Sequence, residues 1–258
     1  MHVLVAIDWH VIWLRIFHPN NVFARALWAT VWISIVAQTA GVLLGLLAAL
    51  ARMSRLAPFR VASGVYVWIF RGTPVLVQLF YVYFAFHWPT YHLGFWTITD
   101  AALAATVALS INEGAYMREI IRAGIDSIDR GQMEAAKSVG MTYAQAMRRI
   151  ILPQAARVIV PPLGNEFNNM MKTTSLASII GVYELFNDAE QGYSRFFLAD
   201  YFLAVAFWYL VLTTIWTFVQ AWIERRLSVS ERGDELSFRE RLQAAWNPVT
   251  SWARGGGG

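Results

Sequence analysis

The residues of this sequence that could act on a solute sit inside apolar runs. Asn165, Asn168, Asn169 and Lys172 recur at i, i+3, i+4 and i+7, so a helix carries them as one polar stripe, with Glu166 beside it. Asn112 and Glu113 interrupt a second apolar run upstream. Polar groups in such segments are expensive to bury in lipid, and they face a water-filled cavity or one another. For the asparagines two readings stand side by side: hydrogen-bonding groups along a solute path, or interhelical glue. Lys172 reads as one half of a structural or gating ion pair, with Glu166 or Glu113 as the partner. The candidate solute pathway is therefore Asn112, Glu113, Asn165, Glu166, Asn168, Asn169 and Lys172. Covalent chemistry has no foothold. There is no cysteine, which excludes disulfides, thiolate metal sites and a cysteine nucleophile. No HExxH, GxSxG, GxGxxG or GxxxxGK[ST] motif occurs. The five histidines offer no helical pair to hold a metal. A membrane-embedded enzyme lacks its constellation, and no cofactor is expected on this chain.

The elements that must position these residues are membrane spans. Hydrophobic residues make up 57% of the 258 and charged residues 15%, whereas a soluble domain carries about 25% charged residues. The class is all-α integral membrane. Ala26 to Ala51 contains no charge and exceeds the roughly 20 residues that a helix needs to cross the hydrocarbon core. Further spans are expected at about Val65–Trp88, Asp100–Ile121, Val158–Val182 and Tyr201–Ile223, five in all. Gly41 and Gly45 in the first span permit close helix packing. Most of the 21 Lys and Arg residues follow spans one, three and five, in clusters at Arg52–Arg60, Arg118–Arg157 and Arg225–Arg254. Basic residues accumulate on the cytoplasmic side. The expected topology therefore has the N-terminus outside and the C-terminus in the cytoplasm, with Arg15 and Arg25 counting mildly against it. The same clustering removes nucleic acid as the explanation of the high pI. Arg71, inside the second span, reads as snorkelling to the headgroups in preference to touching solute. Residues 1–25 read as an extracytoplasmic interfacial segment, 26–225 as the membrane domain, and 226–258 as a cytoplasmic tail with an amphipathic stretch near Phe238–Trp246.

About 36 residues separate spans three and four, too long for a turn and too short for a domain. Gln132 to Val139 can form a short helix. Gly140 ends it as a left-handed cap, and Thr142 with Gln145 forms a capping box that starts the next helix. Glu134, Ala135 and Ala136 give that first helix a low-profile surface that a partner's groove could accept.

Glu134-Ala135-Ala136, Gly140 and Ile150-x-Leu152-Pro153 at this spacing resemble the EAA loop of ABC importer permeases. Arg71-Gly72-Thr73-Pro74, Ala115-Tyr116-x-x-Glu119-Ile120, Pro161-Pro162-Leu163-x-Asn165, Lys172-x-Thr174-Ser175-Leu176 and Glu184-Leu185 are similar to the polar amino acid branch of that family. The resemblance covers about residues 26 to 225. Asn112-Glu113-Gly114 departs from it where small or apolar residues are expected, which leaves the substrate open. The resemblance implies a type I importer core of five transmembrane helices in a bacterial plasma membrane, paired with a second permease copy or paralogue. It also implies two cytoplasmic ATPase subunits that hold ATP and Mg, and an extracytoplasmic solute-binding protein that delivers a polar amino acid. Glu134, Ala135, Ala136 and Gly140 would then belong to a coupling helix seated in the ATPase. The competing class, a self-sufficient secondary transporter or channel, predicts inverted repeats that five unequal spans do not show.

Overall fold

The computed structural model describes residues 7–94 and 96–228. Capping side chains set the starts of the long helices. A short helix, α1 (Trp9–Phe17), begins at Asp8, whose side chain accepts from the His10 and Val11 amides. Asn20 caps α2 (Asn21–Met53), its side chain accepting from Phe23 N at 2.8 Å. Thr99 does the same for α5 (Asp100–Asp126) through Ala102 N. At 33 residues, α2 is about 50 Å long and outruns the hydrocarbon core at both ends. The expected boundary at residue 25 therefore falls inside this helix. The tail boundary falls inside α10 (Asp200–Ser228), and Phe238–Trp246 lies outside the described residues.

The second expected span is two helices. α3 (Ala57–Gly72) and α4 (Val75–Ala85) meet at a bend of 106°. Pro74 cannot donate into a continuing helix, and the residue before a proline is driven out of the helical region. Thr73 is accordingly extended, at φ −117 and ψ 146. A small antiparallel hairpin, β1 (Tyr91–Leu93) and β2 (Trp96–Ile98), follows α4, unannounced by the helical hydrophobic pattern. Beyond α5 come α6 (Arg130–Ser138), α7 (Tyr143–Ala146), a π turn over Met147–Ile151, and α8 (Leu152–Thr173). A 3-10 stretch, Thr174–Ile180, then leads to α9 (Leu185–Phe196) and α10. Among the described residues, α2 and α10 are long and apolar enough to cross a membrane by themselves, and the α3–α4 pair passes as one bent span. The expected third and fourth spans fall on α5 and on α8 with its 3-10 extension, both more polar. α5 carries polar residues because protein surrounds it: most of its length is buried against α2, α3, α4 and α8.

α2 and α5 form the central seam. A Cβ added at Gly41 would lie 2.6 Å from Glu113 Cγ, and one at Gly45 would collide with Met117. The close approach expected of these glycines is therefore made, and its partner is α5. Apolar clusters lie on both sides of that contact along the helix axes. One holds Ile33, Ala37, Leu79, Ala105 and Leu109; the other holds Ala49, Met117 and Ile121. A third, built on Phe23, Leu185, Ala189, Tyr201 and Val205, ties α9 and α10 to the start of α2. Lipid is as apolar as these side chains, so close packing and hydrogen bonds hold the helices together more than the hydrophobic effect does.

Candidate functional site

Between the first two apolar clusters lies a polar layer. Glu113, 5% exposed, accepts a hydrogen bond from Gln38 Nε2 at 3.0 Å across the α2–α5 seam. Gln38 Oε1 is buried without a hydrogen-bond partner among the described residues. Glu166 on α8 shares a helix face with Leu163 and Met170, which pack into the clusters below and above. It is half-buried and within electrostatic reach of Glu113. The structure thus brings Glu113 and Glu166 together, with Gln38 as a third member that the sequence pattern did not single out.

Asn112 is committed elsewhere. Its Nδ2 donates to Phe70 O at 3.0 Å and to Gln78 Oε1 at 2.9 Å. Gln78 Nε2 in turn lies 3.0 Å from Phe70 O and 3.1 Å from Thr73 O. These are the carbonyls that the break before Pro74 leaves without helical donors, and two amide side chains satisfy them. An unpaired carbonyl at this depth would cost about 1–3 kcal/mol. Arg71, at the same elbow, lays its guanidinium over the Tyr116 ring of α5 at 5.0 Å, a contact that neither the headgroup nor the solute reading anticipated.

The stripe on α8 forms as a helical face, and most of it is open. Asn165, Asn169 and Lys172 are exposed, and Asn168 is half-buried. Asn165 Oδ1 accepts from Gln220 Nε2 on α10 at 3.3 Å, while Asn168 Oδ1 is buried without a partner among the described residues. The ion pair expected for Lys172 is not formed: among the described residues the ion pairs are Arg15–Asp188, Arg118–Glu119, Arg122–Glu119 and Arg122–Asp126. Helix geometry gives the reason. Six residues at about 100° each leave Lys172 roughly 120° around the helix from Glu166, so the ammonium points out of the bundle while the carboxylates point in.

At one end of the bundle, α6 and α7 make a helical hairpin. Gly140, at φ +81, ends α6 in the left-handed region, with its N–H on Lys137 O at 2.9 Å and Met141 N on Ala136 O at 3.0 Å. Both halves of the Thr142–Gln145 capping box are present, at 2.9 and 3.3 Å. Glu134 and Ala135 are exposed, but Ala136 is 2% exposed. The low-profile surface is therefore Glu134 and Ala135 together with Val139 and Tyr143, and Ala136 instead seats α6 on the bundle. Behind the hairpin, a cavity of about 390 Å3 is lined by Met53, Ile125, Met133 and Met147 among others.

At the opposite end lies a buried acid whose role the sequence pattern did not expose. Glu184 has 0% exposure. Its Oε2 accepts from Thr30 Oγ1 on α2 at 3.2 Å and from Tyr209 OH on α10 at 2.8 Å, and its Oε1 from Asn187 N at 2.9 Å. One carboxylate thereby caps α9 and fastens it to two long helices. A local signal existed, an acid three residues before an amide it could cap, but its partners are 154 and 25 positions away.

Over residues 41–229 the sequence matches the family described as "Binding-protein-dependent transport system inner membrane component". The L-cystine transport system permease protein TcyB of Bacillus subtilis is 40% identical over 224 residues, covering 86% of this chain and 92% of that protein. The arginine transport system permease protein ArgU of Corynebacterium glutamicum is 39% identical over 231 residues, 86% of this chain and 72% of that protein. Among solved structures, an amino acid ABC transporter with histidines superposes at a TM-score of 0.71 with 39% identity, covering 80% of this chain and 94% of that one.

Proposed function

This chain belongs to the family of binding-protein-dependent transport system inner membrane components, among the polar amino acid ABC importer permeases, and from that premise we propose that it passes a polar amino acid, delivered by an extracytoplasmic solute-binding protein, across a bacterial plasma membrane under the drive of a separate ATPase dimer. It is a transport subunit of a membrane. A second permease, a copy or a paralogue, completes the pathway, and ATP and Mg are held by the ATPases. The arginine-rich end with α6 faces the cytoplasm and the end with α9 faces outward. This puts the N-terminus outside, where Arg15 is neutralised by Asp188 at 3.1 Å and no longer argues against the charge count.

The observation that carries the proposal is the α6–α7 hairpin. A short helix stopped by a left-handed glycine and restarted by a capping box is a rigid, exposed knob continuous with α5 and α8. Glu134 and Ala135 on its surface and Ala136 and Gly140 in its frame make it the coupling helix. Force applied there reaches α8, whose Asn165, Asn169 and Lys172 line the solute path on the open face. Asn168 and Glu166 flank that face, with Glu113 behind them. The relatives' names include cystine and arginine, and with carboxylates inside the bundle and the Lys172 ammonium on the open face, basic, amide and acidic amino acids stay the alternatives.

Uptake of labelled amino acids into proteoliposomes tests the reading. Accumulation should require the ATPase subunit, ATP and binding protein together; uptake by the permease alone would assign the chain to secondary transport. Orientation is read with cysteines in this cysteine-free chain. Thr90 and Gln191 should react with impermeant reagents from outside, and Ser230 only after permeabilisation. Gly192 is unsuitable, because a Cβ there would strike the Tyr201 ring.

A further inference from the structure

At the α9 end a cavity of about 270 Å3 opens between α1, the start of α2 and α9, lined by Arg15, Asn20, Tyr183, Asp188, Gln191 and Arg195 among others. Its charges are unbalanced. Asp188 is buried, and its carboxylate is already taken, by Arg15 Nη1 at 3.1 Å and Tyr183 OH at 2.8 Å. Arg15 is held in place: its guanidinium lies 5.1 Å over the Tyr201 ring, and its backbone carbonyl accepts from Trp208 Nε1 at 3.2 Å. Among the described residues its remaining N–H groups pair with no second acid. Arg195, in the last turn of α9, is exposed and without an ion pair among the described residues. The other acids nearby do not reach it. Glu190 is half-buried and five residues back, about 140° around the helix; Asp200 is buried and accepts from Asp8 N. Two guanidiniums thus face one saturated carboxylate.

The rim is aromatic. Phe196 lines the cup and is exposed, and Phe197, the next residue, is exposed by 76%. Phe197 also holds a left-handed backbone, φ +56, which is an outlier for a bulky side chain and persists where the surroundings over-determine it. An arginine among exposed aromatics on a rigid support is the composition of an interaction hot spot. The support is rigid because Glu184 clamps the other end of α9 to α2 and α10.

We infer that this cup and its rim are the docking surface for the solute-binding protein, and that the docking group is a carboxylate, an Asp or Glu side chain entering between Arg195 and Arg15. The inference rests on the importer reading above, in which this end faces outward and a binding protein must meet it. A guanidinium pair matches a carboxylate in charge and in fork geometry. The cup is level with the first residues of α2, at the outer mouth of the bundle, where a soluble protein can reach it.

The test uses the assembled transporter in nanodiscs of phosphatidylcholine, with its purified, amino-acid-loaded binding protein as the probe. Arg195→Glu should weaken association at least about tenfold and flatten its salt dependence, with Arg195→Lys intermediate. ATPase activity without binding protein should stay unchanged. Reversing the matching acid on the binding protein to Arg should restore affinity to Arg195→Glu. Phe197→Gly should keep or raise the melting temperature, because glycine accepts the backbone, while binding weakens. Wild-type affinity in Arg195→Glu overturns the proposal. So does a defect that appears only when phosphatidylglycerol is present in the disc, which would make the cup a lipid-phosphate site. If the wild-type transporter itself ignores the binding protein, the importer reading fails, a different result from an Arg195 variant that works normally.

Discussion

The two ends of the bundle are built on opposite plans. At the α9 end, the buried carboxylates are saturated over long sequence distances: Glu184 ties α2, α9 and α10, and Asp188 holds Arg15 of α1. At the α6 end, the hairpin is shaped by neighbours in sequence, a glycine and a capping box, and one buried alanine seats α6 on the bundle. The first arrangement resists displacement. The second keeps its own shape while it can shift as a unit. Under the orientation and coupling role proposed above, that difference would separate a fixed outer platform from a moving inner contact.

The comparison breaks most severely at Glu184. Glu184→Ala leaves two hydroxyls and a helix N-terminus without their acceptor in a buried site, a loss of about 3–5 kcal/mol. Thermal unfolding of the purified protein should show this as the steepest fall of any single change. A melting temperature near wild type would mean that the outer platform is held by something else. Asn112→Leu comes next. It leaves the buried Gln78 Oε1 without its donor and takes one of two donors from Phe70 O, which should cost about 1–3 kcal/mol, with cysteine accessibility rising around Arg71 and Thr73 as the elbow loosens. Gly140→Leu follows: a side chain at φ +81 is strained by about 1–2 kcal/mol, too little to unfold the chain. ATP hydrolysis should nevertheless lose its link to uptake, and Glu134→Lys should do the same with no change in stability. Solute-stimulated transport at normal rates in both variants would sink the coupling role of this hairpin.

The smallest stability effects are expected on the open face of α8. Lys172→Met should change stability by less than about 0.5 kcal/mol, because no ion pair is broken, while transport falls. Poor folding rescued by Glu113→Gln or Glu166→Gln would instead revive the buried ion pair. Asn169→Leu should weaken solute affinity by about 0.5–1.5 kcal/mol, a several-fold rise in the transport constant, at constant melting temperature.

What was legible in the sequence follows the range of the forces involved. Gly140 and the Thr142–Gln145 box act over three or four residues, so the α6–α7 hairpin could be read from the chain alone. The stripe on α8 followed from helical periodicity. The second span was expected to run unbroken from Val65 to Trp88 through Pro74, and the angle of the elbow found there depends on Asn112 and Gln78, 34 positions apart, which no local pattern links. Asn112 therefore looked like a pathway residue when its amide serves the backbone. The inward turn of Ala136 and the outward turn of Lys172 were hidden for a related reason: spacing says which residues share a face, and packing decides where the face points.

The glycine seam between α2 and α5 restricts how the bundle can change shape. With Gly41 and Gly45 backed directly onto α5, neither helix can roll about its own axis without driving a neighbouring side chain into backbone. The pair has the kinematics of a single beam. In the proposed importer, the freedom for alternating access would then reside in joints outside the seam: the elbow at Thr73–Pro74, the π turn ahead of α8, and the 3-10 stretch that follows it.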